Sequence, residues 1–315
     1  MISSFHQQYI QKRSERRGED KHMEEEYIMK KQIFAAVLAG AAVLGALPMS
    51  AFAGEAETIT VAATPAPHAE ILEFAKPLLE EKGYDLQVEV FEDYVQPNNV
   101  VDSGELDANY FQHINYLNAF NEEKGTKLVN AGEIHYEPFG IYAGTKSSLD
   151  EIADGDSVGV PNDTTNEARA LLLLEAQGWI TLDPEAGITA TPEDITENPY
   201  NLEIEPFEAA SVARHIDEVS YVVLNGNYAL EAGLNAGTDA LAVESADSDA
   251  IQQYVNVIAV AEGNENEPKI QALVEVLKSD EVKAFIEETW SGAVVPYEVD
   301  GAAETEAEAV ETEAE

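Results

Sequence analysis

The chain predicts an α/β fold, and three observations predict it. Short β-rich runs alternate with helical patterns from Thr58 onward, glycines close the helices, and apolar residues make up 45% of the sequence. That content is enough for one large or two medium domains with proper cores, and the preferred arrangement is two lobes.

Thr58 to Ala62 reads as the first strand, and His68 to Lys82 sets Ile71, Leu72, Ala75, Leu78 and Leu79 on one helical face. Gly83 ends that helix, and Leu86, Val88 and Val90 then alternate with Gln87 and Glu89 as a strand does. The grammar recurs at Ser157 to Val160, followed by the cap-forming Asn162-Asp163-Thr164-Thr165 and a helix to about Gln177, stopped by Gly178. Leu202 to Pro206, Val219 to Leu224 and Tyr254 to Ala261 follow as strands, with Pro268 to Lys278 and Glu281 to Thr289 as helices. Pro138 to Ala143 and Val255 to Val260 are expected to carry the chain between lobes, 57–138 with 255–298 forming the first and 139–254 the second.

At the N-terminus, Lys30 and Lys31 precede the apolar run Ile33 to Leu47 and the small-residue sequence Ala51-Phe52-Ala53. This is the pattern of a secretory signal peptide over 29–53, its run shorter than the roughly 20 residues a spanning helix needs. Residues 1–28 fit no signal peptide and are expected to be a mis-assigned extension ahead of a start at Met29. Gly301 to Glu315 is a block of like charge with almost no large apolar side chain, expected to form a disordered acidic tail.

Cleavage after Ala53 leaves ten basic against 55 acidic residues, a charge of −45. Such a chain repels nucleic acid and anionic membranes, so neither is an expected partner. The absence of cysteine rules out disulfides, thiolate metal sites and a lipid-modified N-terminal cysteine. An extracytoplasmic protein with a signal peptide and no lipobox cysteine is the expectation.

Only two of the ten basic residues are arginines, Arg169 and Arg214. Arg169 lies near the start of the helix in PNDTTNEARALLLL, where free amides and the positive dipole end favour an anion. The alternative is an exposed arginine paired with Glu167 or Glu175. Tyr94, Phe111, His113 and Tyr116 gather around short polar turns in Phe91 to Leu117, a candidate pocket wall, although ordinary core packing accounts for each aromatic equally well. Asn225 and Asn227 follow an apolar run at the carboxyl end where open α/β sheets bind ligands, and Asn256 lies on an expected crossing. Asn225 before Gly226 is also a routine turn former.

Enzyme signatures are missing. Gly140 to Ser147 lacks the Gly-Lys of a phosphate loop, GxSxG is absent, and His68, His113, His135 and His215 form no HExxH or other close pair. No catalytic residue, metal or cofactor is expected.

The words TPAPHAEILEFAKPLLEEKGYDLQV, DYVQPN, LDANYFQHINYL, PNDTTNEARALLLL, NGNYALEAGL and YVNVIAV, in this order from Glu57 to Tyr297, resemble the NlpA family of methionine-binding proteins of bacterial ABC importers. The resemblance implies a two-lobe fold of the periplasmic-binding-protein type (type II), each lobe a mixed sheet flanked by helices. It implies a monomeric, non-catalytic receptor that captures methionine, or a methionine derivative or dipeptide, and delivers it to a membrane permease with its ATPase. Carried over motif by motif, it assigns Tyr94, Phe111, His113 and Tyr116 to the thioether side chain and Arg169 to the α-carboxylate. Asn225 and Asn256, with Asn227 beside them, are assigned to the remaining amino and carboxylate contacts. Two positions depart from the family pattern: Ala53-Gly54 stands where a lipidated cysteine is usual, and Asn115 replaces a proline before Tyr116, which loosens that turn. The competing readings are a receptor for another apolar amino acid, a secreted carboxylate-based hydrolase, and an acidic structural or adhesive surface protein.

Overall fold

The computed structural model describes residues 56–244 and 253–298. The expected extension (1–28), signal peptide (29–53) and acidic tail (300–315) lie outside the described residues.

The first sheet begins as a βαβ unit. Strand β1 (Glu57–Ala63) leads through a turn to α1 (Glu70–Glu81), which returns the chain to β2 (Tyr84–Val90), parallel to β1 with Val61 opposite Val88. Ile71, Leu72, Ala75 and Leu79 of α1 are buried against the sheet, as their spacing predicts. Strand β2 is an edge, so Val90 at its far end is exposed despite the alternation.

Helix α2 (Gln96–Asp102) precedes β3 (Ala108–His113), whose six residues are all buried, then α3 (Ile114–Lys124) and β4 (Leu128–Tyr136). The chain leaves this sheet at Glu137 and starts the second one at β5 (Gly140–Ala143). Strand β6 (Ser157–Pro161) and α4 (Thr164–Ala176) follow, then the small ribbon β7 (Thr181–Leu182) with β8 (Ile195–Glu197). Strand β9 (Glu203–Phe207), a 3₁₀ segment (Ala209–His215), β10 (Tyr221–Leu224), α5 (Gly226–Glu231) and β11 (Ala242–Val243) complete the second lobe. Its sheet runs β11-β5-β10-β6-β9.

The chain then re-enters the first sheet as β12 (Val255–Ala261), antiparallel to β3 and β4 on either side, and ends with α6 (Pro268–Leu277), α7 (Asp280–Trp290) and edge strand β13 (Val295–Pro296). The order is β13-β4-β12-β3-β1-β2. Val255–Val260 is therefore a central strand, and its nearly unbroken apolar run is what burial on both faces requires. Likewise β5, expected within a crossing, belongs wholly to the second sheet. The forward crossing is the short segment Glu137-Pro138-Phe139.

Each sheet has its own core. Ile59, Tyr110, Ile258, Leu273 and Trp290 belong to one, Ile141, Val160, Leu171, Trp179 and Tyr221 to the other. Each such large side chain contributes roughly 1.5–3 kcal/mol on full burial. Among the described residues no helix is long and apolar enough to cross a membrane.

Candidate functional site

Register places the first-lobe residues. Asn256, at the start of β12, lies opposite His113 at the end of β3 and His135 near the end of β4, so three polar side chains form one row across three strands. From the second lobe, β10 ends at Leu224 and delivers Asn225, Gly226 and Asn227 at the start of α5, while β6 leads through Asp163 into α4. Strand ends of both sheets thus converge, the position at which open α/β sheets bind ligands.

All eight residues expected to touch ligand line one pocket there, with about 320 Å³ of empty space partly open to solvent. Arg214 is not among them; it is exposed on the 3₁₀ segment. Gln112, Glu137, Asn166 and Gly226 complete the lining, and sequence reasoning missed them.

The aromatic wall straddles a strand-to-helix junction. Phe111 and His113 sit on β3, and only Tyr116 lies in the first turn of α3. His113 caps that helix, its Nδ1 accepting from the Tyr116 amide at 3.1 Å. This bond closes the turn that Asn115, in place of proline, leaves without ring constraint. Because Nδ1 accepts, Nε2 carries the proton and donates to Asn166 Oδ1 at 3.1 Å. The Tyr94 ring lies 5.6 Å from Phe111 and 5.5 Å from Tyr116, centroid to centroid, within the range of favourable aromatic pairs.

Arg169 is 5% exposed and pairs with neither Glu167 nor Glu175. Its Nε donates to Glu244 Oε2 at 2.9 Å, Nη2 donates to Glu244 Oε1, and Nη2 also reaches the Glu137 carbonyl at 3.1 Å. The guanidinium lies 4.1 Å from the Tyr254 ring centroid and 4.7 Å from that of Phe139. Burial alone would lower its pKa, and the Glu244 carboxylate more than offsets this, so the charge is permanent. Tyr136 Oη and the Phe139 amide donate to Glu244 in turn. One edge of the fork is thereby fixed, and among the described residues Nη1 makes no hydrogen bond. The free amides of α4 do not form the anion site that the sequence suggested, because Asp163 caps the helix by accepting from the Asn166 amide at 3.0 Å.

Asn225 donates through Nδ2 to Asn166 Oδ1 at 2.9 Å, while its Oδ1 is buried without a partner. Asn227 accepts from Tyr94 Oη, and its Nδ2 is buried without a partner. Leaving such groups unpaired costs roughly 1–3 kcal/mol each, so both suit a polar ligand.

Behind this wall, Asn256 Oδ1 lies 3.1 Å from His68 Nε2, and Glu137 Oε1 lies 2.8 Å from His135 Nε2 and 3.3 Å from His68 Nε2. The ligating atoms of His68, His135 and Glu137 fall within 4.8 Å of one another, the only such trio among the described residues. Their remaining nitrogens are also engaged: Thr64 Oγ1 is 2.8 Å from His68 Nδ1, and Tyr110 Oη bonds His135 Nδ1.

Burial lowers the pKa of His68 to about 4 and of His135 to about 3, and burial with the Arg169 charge lowers His113 to about 3. All three are neutral at pH 7. Below an unfolded-state pKa of about 6.5 the unfolded chain binds protons that the fold refuses, so each histidine removes stability as pH falls from there toward 3. Relative to His113→Gln, the wild type is expected to lose up to about 1.4 kcal/mol per pH unit below 6.5. Denaturant unfolding at stepped pH checks this, and a difference independent of pH would refute it.

Two α/β lobes with a polar pocket fed by strand ends of both sheets define the periplasmic-binding-protein type of fold. The chain belongs to the NlpA lipoprotein family, whose sequence profile matches residues 59–298. It is 46% identical over 242 residues to the methionine-binding lipoprotein MetQ of Bacillus subtilis, covering 76% of this chain and 87% of that one. A Ruminococcus gnavus protein described as a candidate lipoprotein is 67% identical, with a TM-score of 0.76 over 77% of this chain and all of the other. A Burkholderia cenocepacia nutrient-binding protein solved with methionine bound is 40% identical, with a TM-score of 0.73 over 76% of this chain and all of its own.

Proposed function

We propose that this protein is an extracytoplasmic, non-catalytic receptor that binds methionine between its lobes and delivers it to an ABC permease and its ATPase. The lobes are residues 57–138 with 255–298, and residues 139–254. The observation that carries this reading is the pairing, in one pocket, of an aromatic wall with a buried arginine whose Nη1 makes no hydrogen bond among the described residues. Tyr94, Phe111, His113 and Tyr116 surround the thioether, for which aromatic edges contribute about 0.3–1.5 kcal/mol per contact. Arg169 Nη1 and Asn227 Nδ2 donate to the α-carboxylate, while Asn225 Oδ1 and Asn256 serve the other polar atoms. The methionine-binding relatives support the ligand class.

Export follows from the signal peptide over 29–53. The relatives are named lipoproteins, whereas this sequence contains no cysteine. No observation favours the hydrolase or adhesive reading.

The test is titration calorimetry of residues 54–298, stripped of ligand by unfolding and refolding, with L-methionine. One-to-one binding with a dissociation constant in the micromolar to nanomolar range, about −8 to −12 kcal/mol, is expected. A folded protein that gives neither heat nor a thermal shift with methionine would refute the reading, and binding restricted to another apolar amino acid would replace the ligand.

A further inference from the structure

Glu137 is the one acidic residue that lines the pocket, and neither the sequence motifs nor the eight expected site residues include it. It stands on the crossing between the sheets and is 6% exposed. His135 donates its Nε2 proton to Glu137 Oε1 at 2.8 Å while the Tyr110 hydroxyl engages its Nδ1; His68 Nε2 bonds Asn256 Oδ1 at 3.1 Å and lies 3.3 Å from Glu137 Oε1. The nearby Asn227 backbone amide favours the ionised carboxylate. Gly226 packs so closely that an added Cβ would meet Glu137 Oε2 at 2.6 Å.

The charges decide what such a group is for. Of the pocket-lining residues only Arg169 and Glu137 bear formal charge, and Arg169 is already matched by Glu244. The pocket with its immediate supports, Arg169, Glu244 and Glu137, therefore holds one anion in excess. Beside Glu137, Asn225 Oδ1 is a buried acceptor with no donor. A carboxylate and an orphan acceptor on one wall call for a cation rich in N–H, whereas the orphan donor Asn227 Nδ2 and Arg169 Nη1 call for an anion.

We propose that Glu137, held by His135 with His68 beside it, is the counter-charge for the ligand's ammonium and restricts the pocket to ligands that carry a free protonated amine. The proposal rests on the receptor reading and adds its selection rule. His68 and His135 are positioning residues, and Asn225 Oδ1 accepts a second ammonium hydrogen. Burial raises the Glu137 pKa, and the Arg169 charge and the nearby Asn227 amide work against that rise. An incoming ammonium works in the same direction as those groups.

The decisive comparison uses the unaltered protein. L-Methionine is titrated against its α-hydroxy acid, which keeps the carboxylate and thioether but has no amine, and against N-acetyl-L-methionine. Both analogues are expected to bind at least about 100-fold more weakly, as for loss of one partner of a buried charge pair. In Glu137→Gln, methionine affinity should fall by a similar factor while the hydroxy acid changes little, so that the preference for the amine collapses. Equal binding of methionine and the hydroxy acid by the wild type would overturn the ammonium site and leave the receptor reading intact. Absence of methionine binding would overturn both. One-to-one zinc binding that competes with methionine and is lost in His135→Gln would give the cluster to a metal and also overturn the proposal.

Discussion

Alanine at Arg169 is expected to abolish measurable methionine binding, a loss of at least about 100-fold, and to lower stability by about 2–4 kcal/mol. The guanidinium joins elements distant in sequence: Glu244 in the second lobe, the Glu137 carbonyl on the crossing, and the faces of Phe139 and Tyr254. Its removal strands a carboxylate that Tyr136 and the Phe139 amide still hold in place. Lysine at 169 keeps the charge but cannot reproduce a planar fork bonded along one edge and stacked between rings. Its affinity should therefore lie much closer to that of alanine than to wild type. Calorimetry with denaturant unfolding separates the two effects, and methionine affinity unchanged in Arg169→Ala would remove the arginine from the site.

Gly226→Ala is expected to lower methionine affinity at least about tenfold and to cost about 1–3 kcal/mol of stability, as overpacking does. The new methyl would stand 2.6 Å from both Cβ and Oε2 of Glu137, and Asn225 and Asn227 flank the substituted position. Either α5 retreats with both asparagines or the carboxylate leaves His135; each displaces part of the site. Gly155→Ala is the control, because its φ of +77° makes any side chain costly while nothing lies within 4 Å of the new Cβ. It should lose about 1 kcal/mol with affinity intact. Unaltered binding by a folded Gly226→Ala protein would show that the pocket wall yields freely.

The sequence made the regular elements legible where one period dominates. The β1-α1-β2 unit, α4 and the two terminal helices stand within a few residues of their expected bounds, since a single buried face writes the pattern. Strand β4 escaped notice because its register slips against β12 at two places, so LVNAGEIHY alternates on neither face consistently. The eight expected site residues, singled out by chemistry and position and given roles by motif resemblance, all line the pocket. Physical reading alone erred on the anion site of α4, which Asp163 fills, and left Arg169 unpartnered. Its partner, Glu244, is 75 residues away and joins it only through the antiparallel pairing of β11 with β5. Asn166 lay hidden among capping residues, and Glu137 within a Pro-containing crossing, because local sequence carries no signal for side chains that meet across lobes.

The crossing Glu137-Pro138-Phe139 has a mechanical consequence. Glu137 extends its carboxylate to two imidazoles of the first lobe and its carbonyl to an arginine of the second. A rotation of one sheet against the other must lever both charged groups at once, with Pro138 stiffening the pivot. Loosening this tripeptide is therefore expected to shorten ligand residence without touching any atom of the aromatic wall.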